Sequence, residues 1–587
     1  AWLRRGRPGL LGPFAPDLRR PDFSRVLSSM RRHPLLWLFA LAVDVTYAAN
    51  IYLILVVPPN NNDSLYLHMA RVVHWLQGGT FLPYPTPFTL QLYYPFNAQA
   101  LIFWSVLFWG TDQLAGFVQF SAALVPLLGV YPLARLLGHN RAQGVFAALL
   151  WAAFPQVLFQ SSTTQNDLVP AAFMVAGVYF LVLALRGVDP RRSLFLAAAG
   201  VSLALGAKQT AFFLLPGLAL AFLLLAWPKR AAALRLLARS LPLAALTFGL
   251  LGAAIYLQNA VVYHNPMGDP RDFYNYIRDP LKRAASLADV SGASTPQPPA
   301  LTALWINLNR IAYQFLDTTG LPPFIEGYLF RGKAHFDRAL YHFLNLPLES
   351  TVAANPNSPI IFDFFHRPPP QEDETWFGIF APLLVVPLGL LRLGRSLRRA
   401  DPLPAALWGL TLSFTFLELL LRPGWDAYLG RNFILAVVFI TPFAAAAYRP
   451  AWVWQALVAL VVVLSAYALV TLTLNDTARP LVGQHAIWPL SRAEKLTLQN
   501  YYLKDAAVMV EKNVPAHATL ALPPGVWEYP FYDAHFTRTL VTPTANDPFA
   551  DPAWMRAEGV QYLLVDLTNP PNLAALPLEG ITASQDG

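Results

Sequence analysis

The chain has 587 residues, 55% of them hydrophobic and 13% charged, with a formal net charge of +8 at pH 7 and no cysteine. That balance excludes a large soluble enzyme and describes an integral membrane protein, while the lack of cysteine excludes disulfides, thiolate metal sites and thiol nucleophiles. The positive charge does not point to nucleic acid: the basic residues sit in short stretches between apolar runs, where they act as topology signals.

Residues 1–33 carry eight arginines and no apolar core, and are expected to be a cytoplasmic tail. Apolar runs long enough for a ~30 Å hydrocarbon layer then recur to about residue 474. They predict about eleven crossings, near 34–57, 112–137, 143–160, 168–186, 193–207, 210–227, 240–260, 376–391, 403–421, 431–448 and 451–473. With the N-terminus inside, Arg and Lys gather in the inner loops throughout, and 58–111, 261–375 and 475–587 fall outside. The 13-residue run Asn97 to Trp109 is too short to span comfortably and is expected to be re-entrant or interfacial.

Within the first exterior loop, residues 60–77 (NNNDSLYLHMARVVHWLQ) have a helical period. One side would carry Leu65, Met69, Val72, Val73 and Leu76, the other Asp63, Ser64, Arg71 and His74, with His68 and Trp75 at the margin. Such a helix is expected to lie on the membrane, apolar side down. The triple Asn supplies acceptors for a helix start. Asp63 is either a catalytic base or only a first-turn acid that complements the helix dipole. The long exterior segment 261–375 predicts a helix near Leu301–Phe315 and a substrate-covering part around Ser291–Pro299. Past residue 474, strand-like runs (519–522, 539–542, 561–567) alternate with helix-like ones (498–513, 551–558), which predicts a small exterior α/β domain.

Polar residues that a passive bundle does not need collect at the outer ends of the spans. They are Asp63, the run Ser161–Asp167, Lys208, Glu372-Asp373-Glu374 and Arg431. Asp167 could also be a helix-start acid, and the 372–374 triplet a solvated helix start. Asp44, inside the first span, leaves open a hydrogen bond to a neighbouring span or a role in the site. Acids beside two outer-end cations suit one chemistry: the cations take a lipid phosphate, and a carboxylate takes the proton of an attacking hydroxyl or amine. No Walker loop, HExxH or dinucleotide fingerprint is present, which weighs against an ATP-driven pump.

Asp63-Ser64, His68, Arg71-Val72 and His74-Trp75-Leu76-Gln77 resemble the first exterior loop of GT-C membrane glycosyltransferases similar to glycosyltransferase family 39. The resemblance continues in order through Gln91-Leu92-Tyr93, Ser162 to Asp167, Leu205 to Thr210 and Glu372-Asp373 to Phe377-Gly378, with Tyr66 and Ala70 departing from the pattern. It implies an α-helical polytopic GT-C-like fold, with 34–474 as the transmembrane domain. It also implies a polyprenyl-phosphate-sugar donor, inversion at the anomeric carbon, an essential acid at Asp63 and a second acid at Asp167. By position, Lys208 and Arg431 would hold the donor phosphate, and Ser64, His68, Arg71, His74, Gln165, Asn166, Glu372 and Asp373 are further site candidates. The acceptor, whether protein, lipid or glycan, is open. Metal use is open too; Asp63 and Asp167 could hold Mg or Mn if their oxygens converge. Two rivals remain: a catalytically degenerate GT-C subunit of a larger membrane assembly with partner subunits, and a transporter or lipid flippase, which predicts a continuous polar path.

Overall fold

The computed structural model of the chain describes residues 23–226, 230–269, 300–350, 352–354, 360–422, 424–543, 549 and 551–565. Most of the Arg-rich tail, the expected covering segment Ser291–Pro299 and the end of the third expected strand lie outside these residues. Among the described residues, six helices are long and apolar enough to cross a membrane: Pro34–Val56, Phe117–Leu136, Leu168–Leu185, Gln209–Ala226, Pro402–Leu421 and Trp452–Leu474. A seventh forms if Ala238–Leu251 and Ala254–Val262, bent by 71°, count as one span.

The expected count of eleven is therefore not reproduced by unbroken helices, and the breaks have local causes. Arg141–Ala152 stops short of Pro155, which holds Phe154 extended (ψ 129°) and starts a new short helix, Pro155–Gln160. Ile434–Ile440 passes into a 3-10 segment, Thr441–Ala447, at Pro442. Pro190–Ala207 opens on Arg191 and Arg192, which shortens its apolar part. Leu168–Leu185 and Pro190–Ala207 approach closely because Gly177 and Gly200 meet; a Cβ on Gly200 would stand 2.7 Å from the Phe173 carbonyl. Asp44 takes neither role left open by the sequence: it lies on the exposed side of its helix.

The C-terminal domain is a small three-stranded parallel sheet, β1 (Thr519–Ala521), β2 (Thr539–Val541) and β3 (Tyr562–Leu563), in the order β2-β1-β3. Leu520 pairs with Leu540 on one side and Tyr562 on the other. Among the described residues its α-helices are Arg492–Leu496, Lys504–Asn513 and Pro552–Ala557, the last capped by the Asp551 side chain.

This domain overturns one expectation for the first loop. Leu65, Met69, Val72 and Val73 share a buried cluster with Leu496, Val510, Leu520 and Phe531. The apolar side of that loop helix thus faces protein rather than lipid: it packs with Ile102 and Val106 of the helix Asn97–Trp109 and joins the apolar cluster of the C-terminal domain.

Candidate active site

Residues 61–68 explain why Asp63 is available for chemistry. The Asn61 side chain accepts the Ser64 N–H at 2.9 Å, so the cap is supplied by an Asn of the triple run and Asp63 makes no capping bond. Ser64–His68 is a π-turn leading into the α-helix Met69–Gly78, and Ser64 Oγ is tied to Thr164 Oγ1 at 2.5 Å. The Asp63 carboxylate then meets Arg431, whose Nη1 lies 2.5 Å from its Oδ2. Burial, first, and the nearby Asp63 carboxylate hold the Tyr66 hydroxyl well above its ordinary value.

The same Nη1 reaches Asp373 Oδ1 at 3.3 Å, and Gln165 donates to that oxygen at 2.6 Å. Gly430 lets this happen: a Cβ there would stand 2.9 Å from the Thr375 carbonyl and against the Trp376 ring, so only glycine lets the turn before Arg431 lie flush on residues 373–376.

Asn432, next in the chain, organises a second pair. Its Oδ1 accepts from Lys208 Nζ at 2.8 Å, its amide donates to Glu418 at 3.0 Å, and Lys208 is salt-bridged to Asp167. Asp167 starts the helix Leu168–Leu185 without a capping hydrogen bond, its carboxylate being turned to Lys208 instead. Asn166 donates to the Ala207 carbonyl at 3.2 Å, which fixes the chain just before Lys208. Two acid–cation pairs thus stand on consecutive residues of one turn.

Electrostatics separates the carboxylates. Burial alone would raise Asp63, but the charges of Arg431, first, and Lys208 outweigh it and hold the carboxyl below its ordinary value. Burial pushes Asp373 up to about 7, with Arg431 opposing and Glu372 and Asp63 adding to the rise. Burial also lowers Lys208, against the pull of Asp167. His68, held by Gln99 and pushed down to about 4 by burial, is neutral at pH 7. The Asp63 and Arg431 side chains keep 20% and 17% exposure, so the pair is reachable from solvent.

Several expected site residues lie elsewhere. Arg71 is buried and donates to the carbonyls of Leu90, Gln91 and Tyr94, a structural clamp that the short Leu90–Tyr93 helix needs. His74 pairs with Glu528 of the C-terminal domain at 2.8 Å. Glu372 turns away from Asp373 to Arg479 at 2.7 Å, and Arg479 also donates to Ser162 at 2.9 Å. Arg479 and Asn432 were missed by sequence reasoning. The signal for Arg479 was present: like Lys208 and Arg431, it is a cation just past the outer end of an apolar run.

Asp63 and Asp167 each already meet a cation, Arg431 and Lys208 respectively. Among the described residues no group of three or more His, Asp or Glu gathers as metal ligands. A separate cleft opens beside the site, bounded by Glu326, Phe330, Lys333, His366, Glu374 and Trp376, with His366 on Glu374 at 2.7 Å. It begins one residue along from Asp373.

Comparison with known proteins gives a partial family match and a set of distant structures. Among solved structures, the chain is 12% identical to ArnT from Cupriavidus metallidurans bound to undecaprenyl phosphate, covering 86% of each chain at a TM-score of 0.48. It is 15% identical to the oligosaccharyltransferase AglB from Archaeoglobus fulgidus in complex with an inhibitory peptide and a dolichol-phosphate. That likeness covers 89% of this chain and 62% of the other, at a TM-score of 0.44. No curated protein matches. Residues 97–257, less than half of the chain, match the family model of dolichyl-phosphate-mannose-protein mannosyltransferases; over that stretch, which takes in Ser162 to Asp167 and Leu205 to Thr210 but not the Asp63 loop, the chain is similar to the GT-C membrane glycosyltransferases of family 39.

Proposed function

We propose that the protein moves a sugar from a polyprenyl-phosphate-linked donor to an acceptor on the membrane face that carries Asp63. The observation that carries this reading is the pairing of Asp63 with Arg431 and of Asp167 with Lys208 across the adjacent residues Arg431 and Asn432. The partial match to a lipid-phosphate-sugar transferase family supports it. That face is proposed to be the cell exterior, with the N-terminus cytoplasmic.

In this mechanism Arg431 and Lys208 exchange their carboxylates for the donor phosphate. A planar guanidinium can take two phosphate oxygens, and an ammonium adds a point charge. Asp63, released from Arg431, loses the charge that weakens it as a base and takes the proton of the acceptor hydroxyl or amine. The acceptor atom bonds to the anomeric carbon from the side opposite the phosphate, the bond from that carbon to the phosphate oxygen breaks, and the phosphate leaves with the bond electrons. One displacement inverts the anomeric centre. Asp167 keeps Lys208 in place between turnovers.

Purified protein incubated with radiolabelled polyprenyl-phosphate sugars tests this, with Asp63→Asn as control. Transfer that vanishes in Asp63→Asn while the variant still folds and inserts is the expected result; substantial remaining transfer removes Asp63 from the role of base. One observation favours a second reading, a catalytically degenerate scaffold: both cations are already neutralised by acids. Failure of the parent protein to bind or consume any donor, under conditions where a related transferase works, selects that reading.

A further inference from the structure

The helix Pro323–Phe343 presents an apolar face that nothing among the described residues covers. Phe324, Tyr328, Phe336 and Phe343 are each at least 68% exposed, and Leu329 and Leu340 lie beside them. At about 100° per residue these six occupy one broad side of the helix. The Arg and Lys residues at exposed positions of this helix are Arg331 and Arg338, on one flank of that side. Its carboxylates, Glu326 and Asp337, lie towards the inner face, where Phe330 and Ala334 are buried. Arg338 is also bound to Glu349 at 2.9 Å and stays about half exposed.

Both ends of this helix are tied to the ends of spans. Just before it, Gly320 packs on Ala468 and Leu472, in the last turns of Trp452–Leu474, and Asp317 accepts the Trp376 N–H at 3.0 Å. In its last turn Tyr341 stacks on Phe364, Phe364 meets Phe362, and Phe362 meets Trp425, a few residues past the end of Pro402–Leu421. A helix of 21 residues is roughly 32 Å long. With both ends held at span ends, it runs along the membrane surface rather than away from it.

We propose that Pro323–Phe343 lies in the lipid interface on the Asp63 side, with Phe324, Tyr328, Phe336 and Phe343 below the headgroups and Arg331 and Arg338 at lipid phosphates. An amphipathic helix with aromatic residues on one side and arginines at the margin suits this depth, and the long arginine stems let the charges reach the headgroups. Its inner face supplies Glu326, Phe330 and Lys333 to the cleft beside Asp373, so that cleft opens at the level of the lipid surface.

The chain has no cysteine, so single cysteines can be placed without a background. Tyr328→Cys, Phe336→Cys and Phe343→Cys, each in the full chain, are labelled with an environment-sensitive fluorophore and reconstituted into phosphatidylcholine/phosphatidylglycerol nanodiscs. Tyr501→Cys, on an exposed residue of the C-terminal domain, is the reference. Brominated lipid should quench the three helix labels at least about threefold more than the reference, as expected for a side chain some 5–10 Å into the interface. Aqueous iodide quenching at the reference level overturns the proposal. Protection from both quenchers, with cross-linking to a second copy or another protein, also overturns it. None of these readouts depends on sugar transfer.

Discussion

Arg431 holds two carboxylates with one nitrogen, and that sharing governs the charge state of the site. Replacing it by Lys keeps the charge and loses the fork, so the donor KM should rise by about tenfold in steady-state kinetics, while kcat changes less. The neighbouring Asp373 supplies a pH test. Burial raises its folded-state value to about 7, whereas an unfolded aspartate titrates near roughly 4. Between those values the folded protein keeps a proton that the unfolded chain has released. Its contribution to stability is therefore full below about 4 and is lost as pH rises through about 7. Thermal unfolding of purified Asp373→Asn should fall less steeply over that window than the parent. Buried Asp476, raised in the same direction, keeps the slope from vanishing.

At the scale of an element, the first-loop helix Met69–Gly78 gets its position from Arg71 rather than from lipid. Burial lowers the Arg71 value only to about 10, so it stays charged at neutral pH, and three backbone carbonyls of residues 90–94 take that charge. Its guanidinium also lies 5.5 Å from the centre of the Trp75 ring. Arg71→Met should leave these carbonyls short of partners and lower stability by on the order of 3 kcal/mol. Denaturation in detergent, monitored by tryptophan fluorescence, measures this. If Arg71 instead belonged to the transfer chemistry, the folded variant would lose turnover without losing stability.

For the whole molecule, the decisive joint lies between the first loop and the C-terminal domain. Asp112 accepts from Arg492 Nη1 and Nη2, at 3.1 and 2.6 Å, and from the Tyr529 hydroxyl at 2.5 Å. Asp112→Asn leaves a largely buried guanidinium without its counter-charge, a loss of about 3–5 kcal/mol. Because the same joint covers Leu65, Met69, Val72 and Val73, the domain should then open. Limited proteolysis between residues 475 and 491 should speed up, and detergent demand should rise as the apolar face is uncovered. Unchanged proteolysis would mean that the buried apolar cluster alone holds the domain.

The sequence by itself determined the membrane class, the places where most helices begin, the three short strands, and the acids and cations at span ends. These follow from local periodicity, capping residues and the high penalty for charge in lipid, all of which act within a few residues. It also singled out Asp63, Asp167, Lys208, Arg431 and Asp373, because an unneeded polar residue beside an apolar run is visible without a partner. Only the tertiary structure decided which acid meets which cation, that Arg71 meets the carbonyls of residues 90–94, His74 pairs with Glu528 and Glu372 with Arg479, and that the apolar side of the first-loop helix meets protein instead of lipid. Those choices join residues hundreds of positions apart, and hydrophobic burial is non-directional: a stripe of Leu, Met and Val signals that it must be covered, not by what.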